Sequence, residues 1–152
     1  MTIEKPRQED FEEISAIARE IHEQHIAYRP DLFQSVEYPL LPMDYQALVD
    51  NNEMYIAKEN GIIVGSVTAK IREQTGHGHI ARKVLSVEVL VIKQGYHGQG
   101  IGTLLMRHVM DAAKAESCTA VELSVHPENG KAIRFYEKLG MKVKNIKYAM
   151  PL

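Results

Sequence analysis

The spacing of apolar residues along the chain changes several times, and each change marks an element. Phe11, Ile14, Ile17, Ala18, Ile21 and His25 recur at three- and four-residue steps, the apolar face of a helix. Asp10 and Glu13 precede that face with the spacing of a capping box. Tyr28 to Pro42 is irregular, because Pro30, Pro39 and Pro42 are excluded from helix interiors. A short helix through Tyr45, Leu48 and Val49 follows. Met54 to Lys58 and Ile62 to Ile71 read as strands, and Asn60-Gly61 between them supplies the positive φ angles of a tight hairpin turn. Val84 to Ile92 is rich in valine, leucine and isoleucine and reads as a further strand.

Gly98 to Gly102 then opens a helix running to about Glu116, with Ile101, Leu104, Leu105, Val109 and Ala112 inward. Ala120 to Val125 reads as a strand. Lys131 to Leu139 is a helix with Ile133, Tyr136 and Leu139 in register, stopped by Gly140. Val143 to Met150 has the pattern of a last strand. Strands precede and follow helices throughout, so the expected fold is an α/β sandwich.

With 152 residues and no linker, repeat or low-complexity tract, the chain reads as one domain, residues 1–152. A chain of this size buries roughly 70% of its unfolded surface. Apolar residues are 45% and charged residues 25% of the total, a soluble globular balance. The net charge of -2 gives no reason to expect nucleic acid or an anionic membrane as partner. No apolar run approaches the roughly 20 residues of a membrane span. The charged N-terminus has no signal-peptide core. Cys118 is the only cysteine, which excludes an intrachain disulfide and fits a reducing compartment, so a cytoplasmic location is expected.

The segment Tyr96-His97-Gly98-Gln99-Gly100-Ile101-Gly102 lies between a strong strand and a strong helix. Its glycines allow a tight turn that brings several amides to one side, and the helix adds unsatisfied amides and a positive dipole end. Together these form a cradle for a diphosphate, although a purely structural turn has the same composition. A P-loop needs Lys-Ser/Thr to close the turn, whereas Thr103 and Leu104 follow Gly102. A dinucleotide-binding turn needs a glycine at position 103 and normally opens the domain.

The turn resembles the coenzyme A loop of the GNAT superfamily of N-acetyltransferases, whose signature is Arg or Gln, two residues, Gly, one residue, then Gly or Ala. Gly100 and Gly102 match it, and His97 stands where Arg or Gln is usual. Asn129, Ala132, Phe135, Tyr136, Glu137 and Gly140 resemble a second segment of that family, at the usual distance and with a strand between. The likeness covers residues 54 to 150 well and the N-terminal part in outline.

That resemblance implies a mixed, mainly antiparallel sheet of six to seven strands flanked by about four helices. It implies acetyl-CoA as co-substrate, with no metal, and acetyl transfer to a primary amine by direct attack in a ternary complex. The coenzyme's diphosphate would fall to His97, Gly98, Gln99, Gly100, Ile101, Gly102 and Thr103, and its pantetheine arm to the backbone of Leu90, Val91 and Ile92. Asn129 matches a coenzyme-contacting asparagine, and its alternative is simple helix capping. Tyr136 matches the general acid beside the CoA sulfur, and its alternative is core packing. The acceptor is expected to be a small-molecule or peptide amine, lodged near residues 21 to 50, where Tyr28, Arg29, Phe33, Tyr38 and Tyr45 suit a pocket and packing equally. A homodimer is the habit of the family. The other reading is a non-catalytic acyl-CoA-binding regulatory or sensor module.

An alkylamine with pKa near 10.4 is almost wholly protonated at pH 7, and unmasking it costs about 4–5 kcal/mol. Glu88, an acid inside an apolar strand, is the candidate base, because burial would raise its pKa towards neutrality. The opposite reading places Glu88 on a solvated strand face. Ser86 shares its side of the strand. His22 with His25, and His77 with His79, lack the further ligands of a metal site and read as packing and loop residues. Arg82-Lys83 reads as a solvated pair entering the strand, with anchoring of coenzyme phosphates as its other use.

Overall fold

The computed structural model describes residues 1–152 as five strands, four α-helices and one 3-10 turn. In chain order these are β1 (Thr2–Glu4), α1 (Phe11–Tyr28), α2 (Pro42–Asp50), β2 (Met54–Glu59), β3 (Ile62–Gln74), β4 (Arg82–Ile92), α3 (Ile101–Ala115), β5 (Ala120–Leu123) and α4 (Gly130–Lys138). The sheet follows sequence order, β1-β2-β3-β4-β5, antiparallel except for the parallel β4–β5 pair. A parallel pair needs a crossover, and α3 supplies it. No helix is long and apolar enough to cross a membrane.

Each sheet face has its own core. Ile14 and Ile17 of α1 and Tyr45 and Leu48 of α2 pack on Met54, Ile56, Ile63 and Val91. On the opposite face Ile101, Leu105, Met106 and Val109 of α3 pack on Val64, Val67, Leu85 and Val87. Tyr136 of α4 and Leu139 just after it lie against this second core. Asn60 and Gly61 both have positive φ, 51° and 78°, as the hairpin reading requires.

β3 and β4 approach closely at Gly65. A β-carbon there would lie 2.9 Å from the Val91 carbonyl oxygen and 3.0 Å from the Ile92 side chain. Tyr45 is fully buried and its hydroxyl donates to the Arg7 carbonyl oxygen at 2.5 Å, so it belongs to the core and not to an acceptor pocket.

Three expectations are corrected. The sheet has five strands, because residues 141–152 make no strand. Val143, Ile146, Tyr148 and Met150 of that segment are exposed, and Lys144 ties it to β5 only through an ion pair with Glu122. Alternation alone does not make a strand, and this segment forms no backbone ladder with the sheet. The Asp10–Glu13 capping box is absent. The Asp10 carboxylate instead accepts the Arg7 amide at 2.7 Å and pairs with Lys58 at 2.9 Å, and Glu13 accepts the Ile63 amide at 2.8 Å. His25 lies outside the core, against the Phe33 ring at 5.6 Å. Burial first, and then the charge of His22, hold its pKa below the ordinary value.

Two measurements test this packing. Gly65→Ala should cost about 1–3 kcal/mol in urea unfolding, because the neighbouring carbonyl belongs to backbone and cannot step aside. Burial, with Asp10 nearby, pushes the Tyr45 hydroxyl up to about 12. The folded state then keeps this proton after the unfolded chain loses it, so stability falls as pH rises from about 10 to 12. The loss should reach about 2 kcal/mol, and Tyr45→Phe should remove this part of the pH dependence.

Candidate active site

β4 carries one residue more than its partner can match. Val89 pairs with Thr68 and Val87 with Ala69, which leaves Glu88 without a partner on β3. Such a bulge bends the strand and re-aims its side chains. Before it, Leu85 and Val87 face α3; after it, Leu90 and Ile92 do, while Val91 faces α1.

β4 and β5 part company at the same place. Their pairing runs from Val84–Ala120 to Val87–Leu123 and stops. Beyond it, the edge of β4 from Glu88 to Ile92 that faces β5 has no strand partner. Within Leu90, Val91 and Ile92, the backbone groups that point away from β3 therefore face a wedge between the two strands unpaired. An extended ligand with amide groups can satisfy them as an added strand would.

At the wide end of this wedge lies the glycine turn. Gly95, Gly98 and Gly100 have φ of 87°, 79° and 80°, a region costly for other residues, and open space surrounds the position of each missing side chain. α3 begins at Ile101 with no side-chain cap, and the amides from His97 to Thr103 donate to no protein acceptor. His97, Gly98, Gln99, Ile101, Gly102 and Thr103 thus surround a ring of free N–H groups at the positive end of a 15-residue helix. His97 is exposed and has no side-chain hydrogen bond, so the cradle is built from backbone.

Gly102 has a different task. A β-carbon there would lie 3.1 Å from the Phe135 ring, so the start of α3 touches α4 directly. The next residue, Tyr136, is half-buried against the α3-side core, and its ring meets Phe135 at 5.2 Å. Its hydroxyl has no protein hydrogen-bond partner, and burial raises its pKa. It remains a neutral donor at physiological pH. Asn129 caps α4, its side-chain oxygen accepting the Ala132 amide at 3.2 Å. This uses the oxygen and leaves the amide nitrogen free.

Glu88 sits where the wedge opens. It is not buried: its side chain is one-third exposed and meets Arg72 of β3 at 2.7 Å. The burial expected of it is therefore missing, and an ion pair stands in its place. Ser86 lies on the same side of β4 before the bulge. Arg82 and Lys83 are at the other end of β4, pairing with Glu122 and Glu116, which excludes them from the glycine turn.

Sequence reasoning missed two residues beside the wedge. His126, just beyond β5, stacks on Tyr28 at the end of α1, with centroids 5.5 Å apart and planes at 20°. The Glu128 amide donates to His126 Nδ1 at 3.2 Å, which fixes that nitrogen as acceptor and leaves Nε2 as the donor of the neutral ring. Arg72 was equally silent. Both are contacts across distant parts of the chain, which local patterns do not carry.

A model of the Acetyltransferase (GNAT) family matches residues 14–141. An uncharacterized N-acetyltransferase of Methanocaldococcus jannaschii, MJ1207, is 30% identical over 97 residues, 64% of this chain and 42% of that protein. The chain spans about half the length of the curated relatives it matches. A tetramutant of the BH1408 protein from Bacillus halodurans has a crystal structure of the same fold, with TM-score 0.95, 28% identity and both chains covered completely. An aminoglycoside N-acetyltransferase, AAC(6')-Iy, whose structure holds CoA, shares the fold at TM-score 0.70 and 16% identity, over 99% of this chain and 100% of that one.

The cradle can be tested without any reaction. Inorganic diphosphate should move the amide resonances of Gly98, Gly100, Gly102 and Thr103 before others. Gly100→Ala should weaken that binding by roughly tenfold, the equivalent of about 1–2 kcal/mol for forcing alanine into a left-handed conformation.

Proposed function

We propose that this chain, which belongs to the Acetyltransferase (GNAT) family, is an enzyme that transfers an acetyl group from acetyl-CoA to a primary amine. The observation that carries the reading is the continuity of two unsatisfied backbone surfaces. The free amides of residues 97–103 suit a diphosphate, and the unpaired edge of Leu90, Val91 and Ile92 suits the amide-bearing arm attached to it. No other common coenzyme combines those parts in that order.

Acetyl-CoA supplies the activated acyl carbon as a thioester. The protein orients it and handles two protons. Tyr136, neutral and unpartnered, donates its hydroxyl proton to the departing sulfur. Glu88, at the opening of the wedge, accepts the proton of the attacking amine directly or through water. Arg72 holds the carboxylate in place. The amine attacks within a ternary complex, so no acyl group is passed to a side chain. Asn129 offers its free amide nitrogen to the coenzyme, and the Tyr28–His126 stack forms a wall for the acceptor.

The acceptor is a small-molecule or peptide amine, because the stack and the exposed Phe33 and Tyr38 offer flat apolar surface for a short chain. A lone unpaired cysteine and the absence of membrane-crossing helices suit work in the cytoplasm.

Kinetics with a screened amine acceptor test the assignment. Tyr136→Phe should lower kcat by about 10²-fold or more with little change in KM for acetyl-CoA. Glu88→Gln should lower kcat/KM for the amine by about 10²-fold. Tight acetyl-CoA binding with turnover unchanged in both variants would overturn these roles. Binding without turnover on any amine would favour an acyl-CoA sensor.

A further inference from the structure

The side chains that α3 sets against the sheet shrink along the helix. Leu105, Met106 and Val109 fill the space first, and Ala112 and Ala113 follow. Ala69 of β3 and Ala112 line a cavity of about 380 Å³ between helix and sheet. Ile71 and Leu85 complete its apolar floor. The Tyr55 ring forms a wall, met edge-on by His108 at 4.4 Å. Small residues on both sides of the gap leave room that the core does not use. The volume lies within the range of about 300–1,000 Å³ typical of small-molecule sites.

The rim of this cavity is charged, and its charges are poorly satisfied. Lys5 Nζ donates to Asn52 Oδ1 at 2.8 Å and meets no carboxylate, so the ammonium has further donors to offer. Glu53 and Glu116 each have a single cation nearby, Lys70 at 3.9 Å and Lys83 at 3.8 Å. Both distances exceed hydrogen-bond length, and neither carboxylate accepts any protein hydrogen bond. One cationic donor and two acceptor carboxylates thus surround an aliphatic floor.

This place is remote from the wedge. Glu116 caps the C-terminal end of α3, whereas the ring of free amides lies at its N-terminal end. Fifteen residues of helix separate the two by about 20 Å. A ligand here leaves the glycine turn and the edge of β4 open.

The lining describes its occupant. A fatty acid would leave Glu53 and Glu116 unmatched, and a polyamine would bring nothing to Lys5. A zwitterion with a short apolar group matches all three surfaces. We propose that this cavity is a second ligand site, which takes a free α-amino acid with an aliphatic side chain. The carboxylate of the amino acid pairs with Lys5 and its ammonium with Glu53 and Glu116. The side chain lies on Ile71, Leu85 and Ala112. Charge-assisted hydrogen bonds at both ends fix the orientation.

Titration of the full chain with L-leucine, followed by amide resonances and without any acyl-CoA, tests the site. Saturable shifts should centre on Ala69, Ile71 and Ala112, with Kd of about 1 mM or below. Leucinamide, which lacks the carboxylate, and N-acetyl-leucine, which lacks the ammonium, should each bind at least about tenfold more weakly. Ala112→Leu fills the cavity and should abolish the shifts. Should that variant fail to fold, Glu53→Gln with Glu116→Gln alters only the rim and should weaken binding about tenfold. No saturable shift, equal binding of leucinamide and N-acetyl-leucine, or indifference to these variants would overturn the proposal. Shifts confined to Tyr28, Glu88 and His126 would also overturn it, since they would mark L-leucine as an acceptor at the wedge. The readout involves no acetyl transfer, so its failure is separate from failure of the enzymatic reading.

Discussion

The structure depends on the short run over which β4 and β5 stay paired. Four residues of parallel ladder hold the strands together, and then the extra residue at Glu88 bends β4 away. A parallel pair is somewhat weaker per residue than an antiparallel one. β4 can leave β5 because its other edge remains bonded to β3 from Gln74–Arg82 to Gly65–Ile92. That long antiparallel pairing is the rigid wall of the wedge. The close approach at Gly65 keeps it tight where a coenzyme arm would press.

The bulge also changes which side chains serve which core. Without it, Leu90 and Ile92 would turn towards α1, and Val91 towards α3. With it, the α1 face receives one small β-branched residue and the α3 face receives two larger ones. A local irregularity in one strand therefore sets the packing of helices on both sides. It also places Glu88 at the fork, beside Arg72.

Much of this was legible in the sequence wherever the information is local. Asn60-Gly61 dictates its turn through two positive φ angles. The α3 face appears as a helical period, although Leu104, read as inward, is exposed, and the glycine turn appears as glycines that need left-handed backbone. The ring of free amides was legible for the same reason, since it needs only a turn and a helix start. The surroundings of Glu88 were not legible. Whether an acid in an apolar strand is buried depends on a bulge, and a bulge is a relation between two strands. Tyr28 and His126 are 98 positions apart in the chain numbering and meet only after the sheet has formed. Tyr45 shows the converse, since an aromatic in a loop-rich region looks like pocket lining until its hydroxyl is found bonded to Arg7. The C-terminal stretch has the right period for a strand, but period says nothing about which edge it joins.

The contact between Gly102 and Phe135 makes a single hydrogen atom the spacer between two helices. Because α3 carries the ring of free amides and α4 carries the Tyr136 phenol, the distance between them is set by that spacer. A change of length in either helix that kept this contact would leave the spacing between the amide ring and the phenol unaltered, so the two are one rigid unit and not two movable parts.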